Sequence, residues 1–275
     1  MADSVLEKIK RFSDDQFSNE ERLNARVQLY RYTERNIDFH KWIFEHLNFQ
    51  GVENVLDLGC GTGLVWLNNI DRIPENIHIM LSDVSEGMVD SCRKKLSNDA
   101  RFGFEVCDAA NTPFESGKYQ MILANHMLNF FEDLERIFRE LSRLLADGGC
   151  IYSTTPSLHQ GQELFTIADG FDDSLKVDIG LVRVFNVENG EDELTKHFNV
   201  IKTDLFQNDV VTDDIDALIL YLASCFENVQ LENLVRRYDG FRKHVRSVIA
   251  EKGQFRMTNK AALFKYDKKS PIIGY

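Results

Sequence analysis

No apolar run in the 275-residue sequence approaches the roughly 20 residues needed to span a bilayer, so no transmembrane helix is expected. The start, Met1-Ala2-Asp3-Ser4, lacks the basic residues and apolar stretch of a secretory signal, and the expected location is the cytoplasm. Cysteines number five, an odd count, and no two are spaced C-x-x-C. Cys60, Cys92, Cys107, Cys150 and Cys225 therefore suggest neither a disulfide framework nor a zinc site, and no metal is expected. Only four prolines occur, which leaves long helices open. Basic residues are outnumbered, 32 against 44 acids, for a net charge of −12. A surface of that sign repels nucleic acid unless cations cluster. The clusters present, Arg93-Lys94-Lys95 and the group from Arg236 to Arg246, fall in stretches that read as helices, and we read them as solvated faces. Neither nucleic acid nor membrane is an expected partner. A small molecule is, with the chain a monomer or homodimer.

What is present is a 43% hydrophobic chain, enough for a sizeable core in one elaborated domain or one domain with a cap. Residues 19 to 47 carry a helical pattern, with Trp42, Ile43, His46 and Leu47 as an apolar stripe. A β–α alternation follows. Short strands are expected at 54–58, 77–83, 102–106, 119–124 and 150–154, with a helix over 85–96. Another helix is capped by Asp133 and stopped by Gly148-Gly149. A sixth strand is expected at 198–206, and a final one at 255–266 with a break near Asn259. Helices over 213–225 and 231–251 lie between these two. Single helices between short, continuously apolar strands imply a parallel sheet covered on both faces. The expected fold is α/β: a doubly wound, seven-stranded, mostly parallel sheet of Rossmann-like type.

The loop Asp57-Leu58-Gly59-Cys60-Gly61-Thr62-Gly63 leaves the first strand and opens a helix. Glycine there permits a tight turn and close approach of a ligand, and helix-start amides favour an electron-rich group. Asp83 ends the next strand, about 20 residues further on, the spacing at which an acid grips a ribose. A dinucleotide loop wants Gly or Ala where this chain has Leu64. Asp57 is also awkward beside a pyrophosphate but useful beside an ammonium or its ordered water.

At this point a resemblance is plain. Val55-Leu56-Asp57-Leu58-Gly59-Cys60-Gly61-Thr62-Gly63 resembles motif I of class I S-adenosylmethionine-dependent methyltransferases. Leu81-Ser82-Asp83-Val84-Ser85-Glu86-Gly87-Met88-Val89 resembles the ribose-binding segment. The likeness implies that Asp83 holds the ribose, that Val84 touches adenine and that Met88 lies alongside. Cys107-Asp108-Ala109 resembles the segment whose acid contacts the adenine amine. Ala124-Asn125-His126-Met127-Leu128 resembles the fourth-strand exit that lines the site. Leu141 to Gly149 resembles the helix and turn before the fifth strand. The flanks resemble a bacterial small-molecule methyltransferase group at Arg31-Tyr32-Thr33 and from Phe255 to Phe264. That group reads Met-Leu-Tyr-His-Val after the fourth strand, where this chain has Met127-Leu128-Asn129-Phe130-Phe131.

The resemblance implies S-adenosyl-L-methionine as cofactor. Its implied contacts are Asp57, Gly59, Cys60, Gly61, Gly63, Asp83, Val84, Met88, Asp108, Ala109, Asn125, His126 and Tyr32. Methyl transfer from a sulfonium needs alignment in a dry site, and a base only if the acceptor must lose a proton early. His159, just past the fifth strand, is the preferred base or acceptor-positioning residue, with a surface-loop histidine as the alternative. Tyr30, Asn129 and Phe130 are acceptor-site candidates. Residues 1–47 are expected as an N-terminal helical lid, with ordinary packing of Tyr30 and Tyr32 as the alternative. Residues 48–275 are expected as the Rossmann-like domain, with a helical cap inserted at about 212–252. The expected activity is transfer of a methyl group to an O or N atom of a small molecule. The alternatives are a nicotinamide-dependent oxidoreductase and a non-catalytic S-adenosylmethionine-binding protein.

Overall fold

In the computed structural model, residues 4–12, 20–177 and 180–269 are described, so Met1 to Asp3 and Asn19 lie outside the described residues. The chain opens with α1 (Val5–Arg11), α2 (Glu20–Leu29) and α3 (Phe39–His46). β1 (Asn54–Leu58), α4 (Leu64–Leu67), β2 (His78–Asp83), α5 (Glu86–Leu96), β3 (Phe102–Val106), β4 (Tyr119–Asn125), α6 (Leu134–Leu144) and β5 (Leu145–Pro156) follow. The last third holds α7 (Gln162–Phe171), α8 (Gly190–Thr195), β6 (Phe198–Gln207), β7 (Val210–Thr212), α9 (Ile215–Ser224), α10 (Asn228–Lys252), β8 (Phe255–Met257) and β9 (Lys260–Lys268).

Seven strands form one sheet in the order β3-β2-β1-β4-β5-β9-β6. Strands β1 to β5 run parallel, and β9 is antiparallel to β5. The expected seven-stranded, mostly parallel sheet is therefore present. Alternate residues along each strand feed opposite faces. Leu56, Ile122 and Ala124 pack with Ile137, Phe138 and Leu141 of α6 on one side. Val55, Ile79, Leu81 and Leu123 pack with Trp66, Cys92 and Leu96 on the other. The chain order reverses between β1 and β4, the switch point beyond whose carboxyl ends such sheets bind ligands.

Asp133 caps α6 as expected, accepting from the Arg136 amide at 3.3 Å. The expected stop at Gly148-Gly149 is late, because Leu145 is already extended and begins β5. Residues 146–149 stand opposite Gln120 alone in the β4–β5 ladder, and Gly148, at φ 75°, supplies the left-handed turn this bulge needs. The continuous helix expected over 19–47 is broken, since Thr33 is extended and bridges Val210, and Asp38 caps a new helix. The break near Asn259 separates two sheets: β8 pairs with β7, and β9 with β5.

The chain divides into two units, and the boundaries differ from those expected at 47 and at about 212–252. One unit comprises residues 38–158, 180–206 and 261–275, and holds the large sheet. The other comprises residues 1–37, 159–179 and 207–260, and is mainly helical. Within it the N-terminal segment is no separate body. Leu29 shares a core with Leu164, Leu218, Leu222, Leu234 and Phe241. Arg22 is buried and donates to the carbonyls of Phe12, Ser224 and Phe226, so its guanidinium closes the end of α9. α3 instead belongs to the sheet unit, where Phe39 and Trp42 stack at 5.8 Å and both pack on Phe206. The basic clusters form ion pairs on helix surfaces, Arg93 with Asp90 and Arg242 with Asp216 among them.

Candidate active site

The glycine loop is built by backbone that only glycine adopts freely. Gly59, Gly61 and Gly63 lie at φ 68°, 54° and 73°. The loop is tied to the end of β2: Cys60 N donates to Ser82 O at 2.9 Å, and Gly61 N donates to Asp83 Oδ2 at 3.0 Å. The other Asp83 oxygen accepts from Ser85 N at 2.9 Å, and the Ser85 hydroxyl caps α5 by accepting from Met88 N at 3.3 Å. The acid expected to hold a ribose is thus also the brace of the loop. A Cβ added at Gly59 would stand 3.0 Å from Met127 Cβ, just past β4. Gly59→Ala is therefore expected to destabilise the protein by about 1–2 kcal/mol from the left-handed backbone alone. It should also lower donor affinity roughly tenfold by parting the loop from β4. Thermal melts and calorimetric titration read the two effects.

Asp57 is 2% exposed. Its Oδ2 accepts from Trp66 Nε1 at 2.8 Å, while Oδ1 is buried with no partner among the described residues. Burial raises this carboxyl to about 7, partly offset by the Trp66 bond, and the nearby Asp83 adds to the rise. Asp83 is also raised, by burial. Cys92 Sγ donates to Gly61 O at 3.2 Å and lies 3.9 Å from Cys60 Sγ. The Cys92 contact, burial and the acids Asp57 and Asp83 hold the Cys60 thiol well above its ordinary range, so it is no nucleophile at neutral pH.

The β4 exit lies across the switch point. Asn125 is its last residue, and its Oδ1 accepts from Thr154 Oγ1 at 3.3 Å. His126 follows in a left-handed conformation, φ 48°, uncommon for any residue but glycine. Its amide donates to Thr154 O at 2.9 Å, and its ring lies 5.2 Å from that of Phe39. Burial pushes the imidazole down to about 4, with His40 adding to the shift, so the ring is neutral at physiological pH. Asn129 is buried and Phe130 is 41% exposed. Val84, 66% exposed, offers an open apolar face, while Met88 and Ala109 are buried. The Asp108 carboxylate accepts from Ala110 N at 2.9 Å and pairs with Arg136 at 3.2 Å.

The sheet unit thus gathers Asp57, the glycine loop, Asp83, Val84, Met88, Asp108, Ala109 and the β4 exit. Tyr30, Tyr32 and His159 belong to the helical unit. There the Tyr30 hydroxyl accepts from Gln160 Nε2 at 3.1 Å, and its ring meets Tyr221 edge-on. The Tyr32 hydroxyl donates to Asp214 at 2.5 Å. His159 is exposed, its Nδ1 3.1 Å from Gln162 Oε1. Sequence reasoning missed Trp66, the partner of Asp57, although an indole one turn into the helix after the loop was visible. It also missed Met127 as the packing partner of Gly59, and Thr62 Oγ1, which is buried without a partner among the described residues.

These residues fit S-adenosylmethionine. Asp57 Oδ1 has no partner among the described residues and suits an ammonium or its water. The Asp83 oxygens accept from the Gly61 and Ser85 amides and keep lone pairs for ribose hydroxyls. The glycines keep side chains off the loop.

A β3-β2-β1-β4-β5 parallel order, a glycine loop after β1 and an acid ending β2 define a nucleoside-binding fold of Rossmann-like type. Residues 55–149 match the family model described as a methyltransferase domain, and over that segment the chain is similar to class I S-adenosylmethionine-dependent methyltransferases. It is similar to a malonyl-[acyl-carrier protein] O-methyltransferase of Ilyobacter polytropus, 32% identical over 155 residues, covering 55% of this chain and 54% of that one. A second such enzyme, from Legionella pneumophila, is 29% identical over 126 residues, covering 45% and 44%. The chain spans about half the length of the curated relatives it matches. A solved structure from Bacillus halodurans aligns with 84% of this chain and 99% of its own at a TM-score of 0.58 and 13% identity, a likeness of fold. Among the described residues no helix is long and apolar enough to cross a membrane.

Proposed function

We propose that the protein transfers a methyl group from S-adenosylmethionine to an O or N atom of a small-molecule acceptor. The observation that carries this reading is the Asp83-braced glycine loop beside the unfilled Asp57 Oδ1. Asp83 holds the ribose, Asp57 the amino-acid end, and Val84, Met88, Asp108 and Ala109 the adenine side. The β4 exit borders both reactants, with Asn125 and His126 on the donor side where the acceptor meets it and Asn129 and Phe130 toward the acceptor. Bound there, S-adenosylmethionine would supply its methyl group to the acceptor's lone pair, with sulfur leaving as a neutral thioether and the acceptor's proton passing to solvent. The chain's task is to align the partners and exclude water. A neutral imidazole at His126 adds no charge to compete with the cationic donor.

The relatives' named acceptor, a malonyl group on acyl carrier protein, belongs in the acceptor panel beside free metabolites. A cytoplasmic location is part of the same proposal. The test is a methyl-release assay over that panel, reading S-adenosylhomocysteine formed. Turnover of an acceptor, lost in Asp83→Ala, supports the reading; donor binding without turnover of any acceptor would favour a non-catalytic binding protein. We propose His159, just past β5, as the base or acceptor-positioning residue. His159→Ala is expected to leave donor affinity unchanged and to lower kcat/KM on the order of a hundredfold, the low end for positioned proton transfer. Steady-state kinetics beside calorimetry check both.

A further inference from the structure

The β4 exit carries polar atoms that no group among the described residues satisfies. Asn129 is 5% exposed, and its Oδ1 is buried without a partner among the described residues. Asn125 Nδ2 is likewise buried and unpaired, while its Oδ1 is engaged with Thr154. Buried polar atoms are almost always paired, and an orphan is costly to keep. One orphan donor and one orphan acceptor on the same short segment define their complement. Asn125 asks for a carbonyl oxygen, and Asn129 for an O–H or N–H.

Charge narrows what that complement is. His126, between the two amides, is neutral, and its neighbour His40 is also shifted down by burial. Gly59, packed on Met127, brings the acids Asp57 and Asp83 to the same end of the sheet. Arg183, on the turn packed against Leu128–Phe130, is exposed. A carboxylate buried against these amides would lose its hydration, and among the described residues of the β4 exit no cationic side chain offsets that loss.

We infer that the acceptor presents a neutral hydroxyl or amino group beside a carbonyl oxygen, and that Asn125 and Asn129 select it over the corresponding carboxylate. The inference rests on the methyltransferase reading and names its acceptor class. It also sets this chain apart from relatives named for a malonyl group, which ends in a carboxylate.

The test uses the full chain saturated with S-adenosylhomocysteine, whose own binding is measured first. Salicylamide and anthranilamide are then titrated against salicylate and anthranilate by calorimetry, with side-chain amide signals of Asn125 and Asn129 followed by NMR. Each amide is expected to bind at least tenfold more tightly than its acid and to shift the Asn129 signals. Asn129→Leu is expected to abolish that preference while raising the melting temperature, because it removes a buried orphan. An asparagine serving structure alone would lose stability on that change and leave the ratio untouched. The inference is overturned if the acids bind as well as the amides, or if neither binds while S-adenosylhomocysteine does. It is also overturned if folded Asn129→Leu keeps the preference. Failure of S-adenosylhomocysteine to bind overturns the methyltransferase reading itself, and the inference with it.

Discussion

Asp83→Ala is expected to weaken S-adenosylmethionine binding by a hundredfold or more. Two losses combine. The ribose hydroxyls lose a charged acceptor, worth about 1.5–3 kcal/mol per hydrogen bond. The Gly61 amide loses the carboxylate that holds it at 3.0 Å, and the Ser85 amide loses its partner at 2.9 Å, so the loop is no longer braced to β2. About 3–4 kcal/mol together corresponds to a factor of 10² to 10³. Asp83→Asn should fall between, since one amide oxygen replaces one carboxylate oxygen but the NH2 opposes a backbone donor. Calorimetric titration of variants whose circular dichroism matches the parent reads the result. An Asp83→Ala protein that binds the donor normally would remove Asp83 from the site.

The second large effect is on pH. Asp57, raised to about 7 by burial, is half protonated near neutrality in the free protein. The donor's ammonium and sulfonium favour the carboxylate. Donor affinity is therefore expected to fall as pH drops below about 7, approaching tenfold per pH unit where the free protein holds the proton and the complex does not. Folding stability runs the other way. An acid whose folded pKa lies above its unfolded value keeps its proton longer in the native state. Asp57 thus costs stability progressively as pH rises from about 4 to about 7, and the cost is constant above. Asp57→Asn, which keeps an oxygen for Trp66, should melt higher than the parent at pH 8, show little difference at pH 4, and lose the pH slope of donor affinity. Melts and titrations from pH 5 to 8 check the sign, and a parent whose donor affinity is flat across that range would contradict it.

Much of the glycine loop and its flanking strands was legible because it is local. The strand–loop–helix run from Val55 to Leu64, the Asp83 position and the Asp133 cap each depend on residues within a turn or two, where backbone preference and spacing act directly. The start of β5 was misread because Gly148 and Gly149 look like a helix stop, whereas the packing of Leu144 and Leu145 ends the helix earlier and the glycines serve a bulge. The helical unit was illegible as a unit. Its three segments meet through contacts such as Arg22 with Ser224, some two hundred residues apart, which no local pattern announces. The same holds for the stretch that follows β4. That Asn129 is buried and its Oδ1 unsatisfied depends on the surrounding packing, and substitution within the Met127–Phe131 stretch signalled only a departure from the related group. Tyr30 and Tyr32 read as lid residues from a motif, yet their partners Gln160, Tyr221 and Asp214 all come from distant stretches.

The central claim is that the loop after β1 binds S-adenosylmethionine. Isothermal titration of the full chain with S-adenosylhomocysteine, run beside NADH, tests it most directly. The account predicts one site per chain for the nucleoside, abolished or strongly weakened in Asp83→Ala, and no heat with NADH. Folded protein that binds NADH, or that fails to bind S-adenosylhomocysteine and S-adenosylmethionine, would contradict it.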